Sequence, residues 1–231
     1  MHTSPTALLR HLRDLQPDRN LEDHEARGIA ERQALRLLQI FGQHEPAVNV
    51  AAIADLPRIE VRVEPNLPVS GFSQWAKGRW LIAVNRDDSP ARRRFTLALE
   101  FKHVLDHPFI DHAYLDKSGK PDHDYAEKIC DYFAACLLMP RPWIKRAWIN
   151  GIQDQASLAA LFNVSEPAMA IRLRSLGLTE PKSRFDIDAI KDASRDARRY
   201  FRIDRRRPLT RDLDPELNLG TLYRPALLGT R

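Results

Sequence analysis

Long apolar runs are missing from this sequence of 231 residues, and their absence excludes a membrane-spanning helix. The hydrophobic residues, 43% of the chain, are interrupted throughout by charged residues, which make up 29%. The N-terminal stretch is also too often broken by charge for a secretory signal peptide. The composition is that of ordinary globular proteins. We therefore expect a cytoplasmic protein with one large domain or two smaller ones.

Cysteine is scarce as well, with only two residues in the chain. Cys130 and Cys136 lie six positions apart within one apparent helix, where a disulfide would be geometrically awkward. Nothing in the sequence suggests export to an oxidising compartment. We predict that both cysteines are small residues of the core.

The net charge of +5 is unevenly placed. Residues 182–231 contain 13 Lys and Arg against 8 Asp and Glu, so this segment carries the whole excess. Clustered basic charge can attract nucleic acid or an acidic partner, although a solvated segment of mixed charge has the same composition. The arginines that would contact DNA phosphates in the first case are Arg198, Arg199, Arg205, Arg206 and Arg207.

Several segments have the apolar periodicity of helices. They are residues 4–16, 24–42, 90–106, 123–140, a stretch after Pro142, and 154–178. The last is interrupted by a turn at residues 163–165, which is the outline of a helix-turn-helix. Reading DNA would require exposed side chains on its second helix, such as Arg172 and Arg174. A further, basic helix is predicted at 186–202.

Three segments ahead of the 90–106 helix indicate strands, at residues 59–63, 71–76 and 79–85. Lys77 and Gly78 separate the second strand from the third and suit a tight hairpin turn. Taken with the helices, these strands predict an α+β fold in which a small antiparallel sheet is packed by helices.

The stretch "RFTLALEFKHVLDHP" (residues 94–108) carries the chemistry. A zinc peptidase helix has two histidines four residues apart, with a glutamate directly after the first. Residues at this spacing share one helix face. His103 stands where the second histidine belongs, and Glu100 where the glutamate acts as general base. Leu99 occupies the position of the first histidine.

A third ligand must come from another element, and Glu127 is the natural candidate. It lies 24 residues after His103, on the next helix. Asp131 follows it by four residues, on the same face. A carboxylate at 131 could accept a hydrogen bond from His103 and fix its tautomer.

The block "RFTLALEFKHVLDHP" followed by "AEKICDYFAACLLMP" resembles the ImmA/IrrE family of zinc metallopeptidases. The resemblance covers roughly residues 24–180 and includes "IAVN" and "LAALFNVSEPAMAIRLRSLGL". It implies zincin-like active-site helices, with His103 and Glu127 as zinc ligands and Glu100 as the catalytic glutamate. Asp131 matches a position that is usually Asn or Asp. The resemblance also implies a regulator that acts on a helix-turn-helix repressor, or another regulatory protein, of a phage, mobile element or stress response.

Leucine cannot bind zinc, so three interpretations stay open. The first is a metallopeptidase-like regulator with impaired or lost zinc catalysis. The second is an active zinc endopeptidase with a rearranged ligand set of His103, His107 and Glu127, although Pro108 would fray the helix under His107. Otherwise His107 is a capping or supporting residue. The third is a DNA-binding regulator that uses residues 154–207.

Glu100 has a further requirement if no metal binds. A lone carboxylate in a partly buried site should find a cation, and Lys102 or an arginine would serve. The expected organisation is an N-terminal helical extension at 1–23, a metallopeptidase-like domain at 24–150, a helix-turn-helix-type module at 151–180 and a basic segment at 181–231.

Overall fold

The computed structural model describes residues 5–179, which form seven helices and one three-stranded sheet. The helices are α1 (Pro5–Arg13), α2 (Asp23–Ile40), α3 (Pro90–Asp106), α4 (His123–Leu138), α5 (Arg141–Ile149), α6 (Gln155–Phe162) and α7 (Glu166–Ser175). The strands are β1 (Ile59–Glu64), β2 (Gly71–Ala76) and β3 (Arg79–Asn85). Short 3-10 helices lie at Val50–Asp55 and His107–Phe109. Residue 4, where the first predicted helix begins, the predicted helix at 186–202 and the basic segment fall outside the described residues.

The sheet is mixed, which corrects the prediction of an antiparallel sheet. Its order is β1-β3-β2, with β2 antiparallel and β1 parallel to the central strand β3. The two-residue turn between β2 and β3 forces the antiparallel pair, and Lys77 and Gly78 both have the positive φ that such a turn requires (51° and 77°). Because β2 runs back along the sheet, β3 runs in the same direction as β1. The α+β class itself is confirmed.

Local signals explain where the two central helices begin. The Ser89 side chain accepts a hydrogen bond from the Arg92 N–H at 3.3 Å, and Pro90 occupies the first turn of α3. The Asp122 side chain likewise accepts from the Tyr125 N–H at 3.0 Å and starts α4. Both starts are visible in the sequence because capping depends on residues within one turn.

The core lies where α3 packs against the sheet on one side and against α4 on another, while α2 also packs against α4. Phe101 and Phe133 meet there with ring centroids 6.4 Å apart. Cys130 and Cys136 are free and buried, so their predicted place in the core is confirmed. None of the helices within residues 5–179 is both long and apolar enough to cross a membrane.

Candidate metal centre and its surroundings

Helix α3 has two faces that differ in exposure. One face carries Leu99 and His103, continues at the same spacing to the C-cap residue His107, and remains partly open to solvent. The other carries Lys102 and Asp106, which are buried. Near its C-terminal end, the Arg13 guanidinium donates to the carbonyls of Val104 (2.7 Å) and Leu105 (3.2 Å). A cation at this end satisfies carbonyls that have no helical partner and complements the helix dipole.

The open face brings His103 against Glu127, as the family spacing predicts. The His103 Nε2 atom lies 3.0 Å from Glu127 Oε2, and the two side chains are 11% and 34% exposed. The other ring nitrogen, Nδ1, lies 3.5 Å from the Cys130 Sγ. Helix α4 supplies both partners, three residues apart, so the imidazole is held between one side of α4 and α3.

The contact with Glu127 indicates the tautomer of His103. A carboxylate can only accept, so Nε2 carries the proton and donates it to Glu127. In the neutral ring Nδ1 is then the acceptor, and the Cys130 thiol can donate to it. The orienting partner predicted from the sequence was Asp131, whereas the structure brings Cys130 to this nitrogen. The role of Asp131, which lies half-buried on α4, stays a prediction.

The remaining positions of the motif are also on α3. Leu99 is half-buried and packs against the hydrophobic core. Glu100, the predicted general base, is only 2% exposed. Lys102, one of the cations predicted for Glu100, pairs with Asp106 and also donates to Gln33. The cation partner of Glu100 therefore stays a prediction.

His107 is not gathered with His103 and Glu127. It is the C-cap residue of α3, and its ring packs edge-on against Trp80 with centroids 4.8 Å apart. Burial lowers the pKa of His107 because it disfavours the charged imidazolium, and the positive charge of Arg13 lowers it further. The position at the end of α3 agrees with the predicted capping role of His107 rather than with a shifted metal site.

The side chains can be tested against the zinc that the fold family implies. Two ligands of one tetrahedral zinc, with bonds near 2.1 Å, are about 3.4 Å apart. His103 and Glu127 are close to that separation, so this pair could flank a metal if their hydrogen bond were given up. Helix position 99, which should offer the third donor, holds a hydrocarbon. Across residues 5–179 no three His, Cys, Asp or Glu side chains are grouped so that they could hold a metal ion. The donors present therefore do not fit a usual catalytic zinc site.

Sequence reasoning missed a buried polar network behind the motif. The Lys102 Nζ donates to Asp106 Oδ1 at 2.6 Å and to Gln33 Oε1 at 2.7 Å, and the Tyr114 hydroxyl donates to Asp106 Oδ2 at 2.6 Å. Gln33 in turn donates to the Leu12 carbonyl at 2.9 Å. Burial and the Asp106 carboxylate raise the pKa of Tyr114. The i, i+4 spacing of Lys102 and Asp106 was the available signal.

The predicted helix pair at 154–178 is present as α6 and α7, joined through Asn163 in the left-handed conformation (φ 52°). Arg172, named as a DNA-reading side chain, is only 2% exposed. Its Nε donates to the Met139 carbonyl at 3.1 Å, and its guanidinium lies over the Tyr132 ring. This corrects the expectation for Arg172, because a buried arginine cannot contact DNA. Arg174 is half-buried, and the arginines between 198 and 207 lie outside the described residues.

A second buried arginine joins the same helix pair to α3. The Arg94 Nη2 donates to the Val48 carbonyl at 2.9 Å, and its Nε donates to the Asn163 carbonyl at 3.2 Å. Burial lowers the pKa of Arg94. The turn between α6 and α7 is thus tied to the first half of the motif helix.

A small sheet, two packed helices and a histidine facing a glutamate across them define a metallopeptidase-like domain. Residues 62–174 match the family model of the IrrE N-terminal-like domain (Peptidase_M78). The chain therefore carries an IrrE-like domain over these residues, and the resemblance predicted from its motifs is confirmed.

The chain is also similar to a solved structure described as a Mycobacterium tuberculosis transcriptional regulator. The TM-score is 0.50 at 22% identity, over 71% of this chain and 51% of the regulator. At this identity the match shows the shared fold alone, and the chain spans about half the length of that protein. No curated protein matches the chain.

Proposed function

We propose that this chain is an IrrE-like regulator whose metallopeptidase-like surface at His103 and Glu127 binds a regulatory protein and has impaired or lost zinc catalysis. The observation that carries the proposal is Leu99 at the first ligand position, on the same helix face as His103, whose Nε2 lies 3.0 Å from Glu127. This surface thus keeps two donors of the usual three.

Two physical effects weaken zinc binding at such a site. Losing only a supporting contact to a metal ligand typically lowers metal affinity 10- to 100-fold, and losing a ligand itself removes more. The Leu99 side chain also places apolar atoms where a divalent cation needs a donor or water. Glu100 would then have no metal-bound water from which to take a proton.

The partner we propose is a helix-turn-helix repressor or another regulatory protein of a phage, mobile element or stress response. The family resemblance supports this class, and the similar M. tuberculosis protein is described as a transcriptional regulator. The partial exposure of His103 and Glu127 leaves polar atoms of both side chains available to a bound polypeptide. Burial of Arg172 supports a protein partner over DNA for the described part of α7.

Metal content tests the proposal directly. The 231-residue wild-type chain and a Leu99→His variant are purified from medium containing zinc, and zinc per chain is measured by mass spectrometry. We expect well below one zinc in the wild type and about one in Leu99→His, because the histidine completes the three-donor set.

Two matched variants show where any metal sits. Leu99→Ala removes the leucine without adding a donor and should stay low in zinc. Leu99→His combined with Glu127→Gln should lose the metal gained. Tight zinc at one per chain in both wild type and Leu99→His would contradict the proposal, and its loss with His107→Ala would favour the rearranged endopeptidase.

A further inference from the structure

A cationic groove lies between α1 and α2. Its lining does not include the residues of the candidate site around His103 and Glu127. It has a volume of about 440 Å³, within the range of ligand clefts. Its lining residues are His11, Leu15, Arg32, Leu35, Arg36 and Gln39. We call it the α1–α2 groove.

The rim of the groove is positively charged and its floor is apolar. Arg32 and Arg36 are exposed and lie one helical turn apart on α2. Among the described residues neither forms an ion pair, whereas Arg27 on the same helix pairs with Asp23 at 2.7 Å. The floor consists of Leu15 and Leu35, which are half-buried. Such a groove suits a segment that combines carboxylates with aliphatic side chains.

We propose that the α1–α2 groove binds residues 212–219 of this same chain, "DLDPELNL". This stretch places three acidic residues beside three leucines, which are Asp212, Asp214, Glu216, Leu213, Leu217 and Leu219. Its carboxylates match Arg32 and Arg36, and its leucines match the apolar floor. It also interrupts the otherwise basic segment that follows residue 181.

The covalent connection favours this occupant over a separate protein. Thirty-three residues lead from Thr179, the last described residue, to Asp212. A chain of that length can extend to about 110 Å, whereas a domain of this size is roughly 40 Å across. Every point of the surface is therefore within reach. A tethered ligand acts at an effective concentration that can reach the millimolar range, so a weak contact is enough for occupancy.

A nucleic-acid backbone is the principal competing ligand for two adjacent arginines. Phosphates would pair with the guanidinium groups, but they would leave Leu15 and Leu35 without an apolar partner. The leucine floor therefore favours a polypeptide, and binding of DNA in its place is a separate outcome of the test.

Photo-crosslinking in the 231-residue chain tests the proposal. Gln39, which is exposed and lines the groove, is replaced by p-benzoylphenylalanine, and crosslinked peptides are identified by mass spectrometry after irradiation. Leu161, exposed on a different surface, receives the same probe as a matched control. We expect crosslinks to residues 209–222 from position 39 at least tenfold more often than from position 161.

Charge exchange makes the result specific. Arg32→Glu with Arg36→Glu should remove at least nine-tenths of the crosslink, and so should Asp212→Arg, Asp214→Arg and Glu216→Arg together. Combining both sets should restore at least half of it. Lys77→Glu with Arg86→Glu, two exposed cations elsewhere, should change nothing.

Four results would overturn the proposal. The first two are equal crosslinking from positions 39 and 161, and crosslinking that charge reversal leaves intact. The third is the formation of hybrid crosslinks in a mixture of ¹⁵N-labelled and unlabelled protein, which would mean docking between molecules. The fourth is displacement of the segment by a DNA duplex whose binding requires Arg32 and Arg36, which would mean a nucleic-acid site.

Discussion

Replacing Lys102 by methionine should strongly destabilise the protein, because it isolates a buried carboxylate. Lys102 is 0% exposed and donates to Asp106 and Gln33, at 2.6 and 2.7 Å. Methionine has a similar length and fills the space without a charge. Asp106, 1% exposed, would keep only the Tyr114 hydroxyl as a donor among the contacts described above.

The magnitude follows from the cost of breaking a buried ion pair by removing one partner, about 3–5 kcal/mol of unfolding free energy. A chain of this size loses roughly 2–4 °C of melting temperature per kcal/mol, so we expect a fall of about 6–20 °C. The attraction within the pair is not itself worth that much, because desolvation of both charges opposes it. Most of the effect is the penalty of leaving Asp106 unbalanced.

Urea unfolding followed by circular dichroism measures this effect, and a second ion pair serves as the matched control. Arg27 and Asp23 have the same i, i+4 spacing at 2.7 Å but are 39% and 58% exposed. Arg27→Met should therefore lower the unfolding free energy by no more than about 1 kcal/mol. Lys102→Met combined with Asp106→Asn should recover part of the loss, because the unbalanced charge is gone. A loss below about 1 kcal/mol for Lys102→Met alone, or one equal to that of Arg27→Met, would refute the reasoning.

Two further predictions concern side chains that the structure reassigned. Arg172→Met should lower the unfolding free energy by about 1.5–3 kcal/mol, because a charged donor to the Met139 carbonyl is lost. The same variant should leave any DNA affinity in an anisotropy titration unchanged. A selective loss of DNA binding would contradict the structural role of Arg172. His107→Phe should flatten the pH dependence of the melting temperature below about pH 6.5. The pKa of His107 is lowered in the folded state. As the pH falls below about 6.5, the unfolded chain therefore takes up this proton first, and the stability of the wild type declines. Parallel curves of melting temperature against pH for wild type and variant would contradict this prediction.

Much of the candidate site could be predicted from the sequence. The spacing from His103 to Glu127 placed both on facing helices, and the structure brings them to 3.0 Å. The contact between Cys130 and His103 could not be predicted, because a cysteine on an apolar helix face indicates a core residue. Cys130 is indeed buried, and it contacts His103 as well. The role of Asp131 stays a prediction, which rests on the fact that carboxylates commonly orient metal-binding histidines.

Two arginines, Arg94 and Arg172, are buried in the fold. A sequence read alone treats Arg94 and Arg172 as surface residues, since arginine is rarely buried fully. In the fold both are at most 5% exposed, and both donate to backbone carbonyls of other elements. Their positions result from the way α6 and α7 pack against α3 and the end of α4, which no local pattern records.

The sequence by itself determined the elements whose causes lie within a few residues. Ser89 and Pro90 start α3, the approach to Pro108 ends it, and Lys77 with Gly78 closes the hairpin, because capping and turn chemistry act over one turn of chain. It also determined that position 99 offers no zinc donor. Only the tertiary structure decided the direction of β1 relative to β3 and the burial of Lys102 and Asp106 against Gln33 and Tyr114. Both depend on which distant surfaces exclude water together, and that is a property of the packed chain.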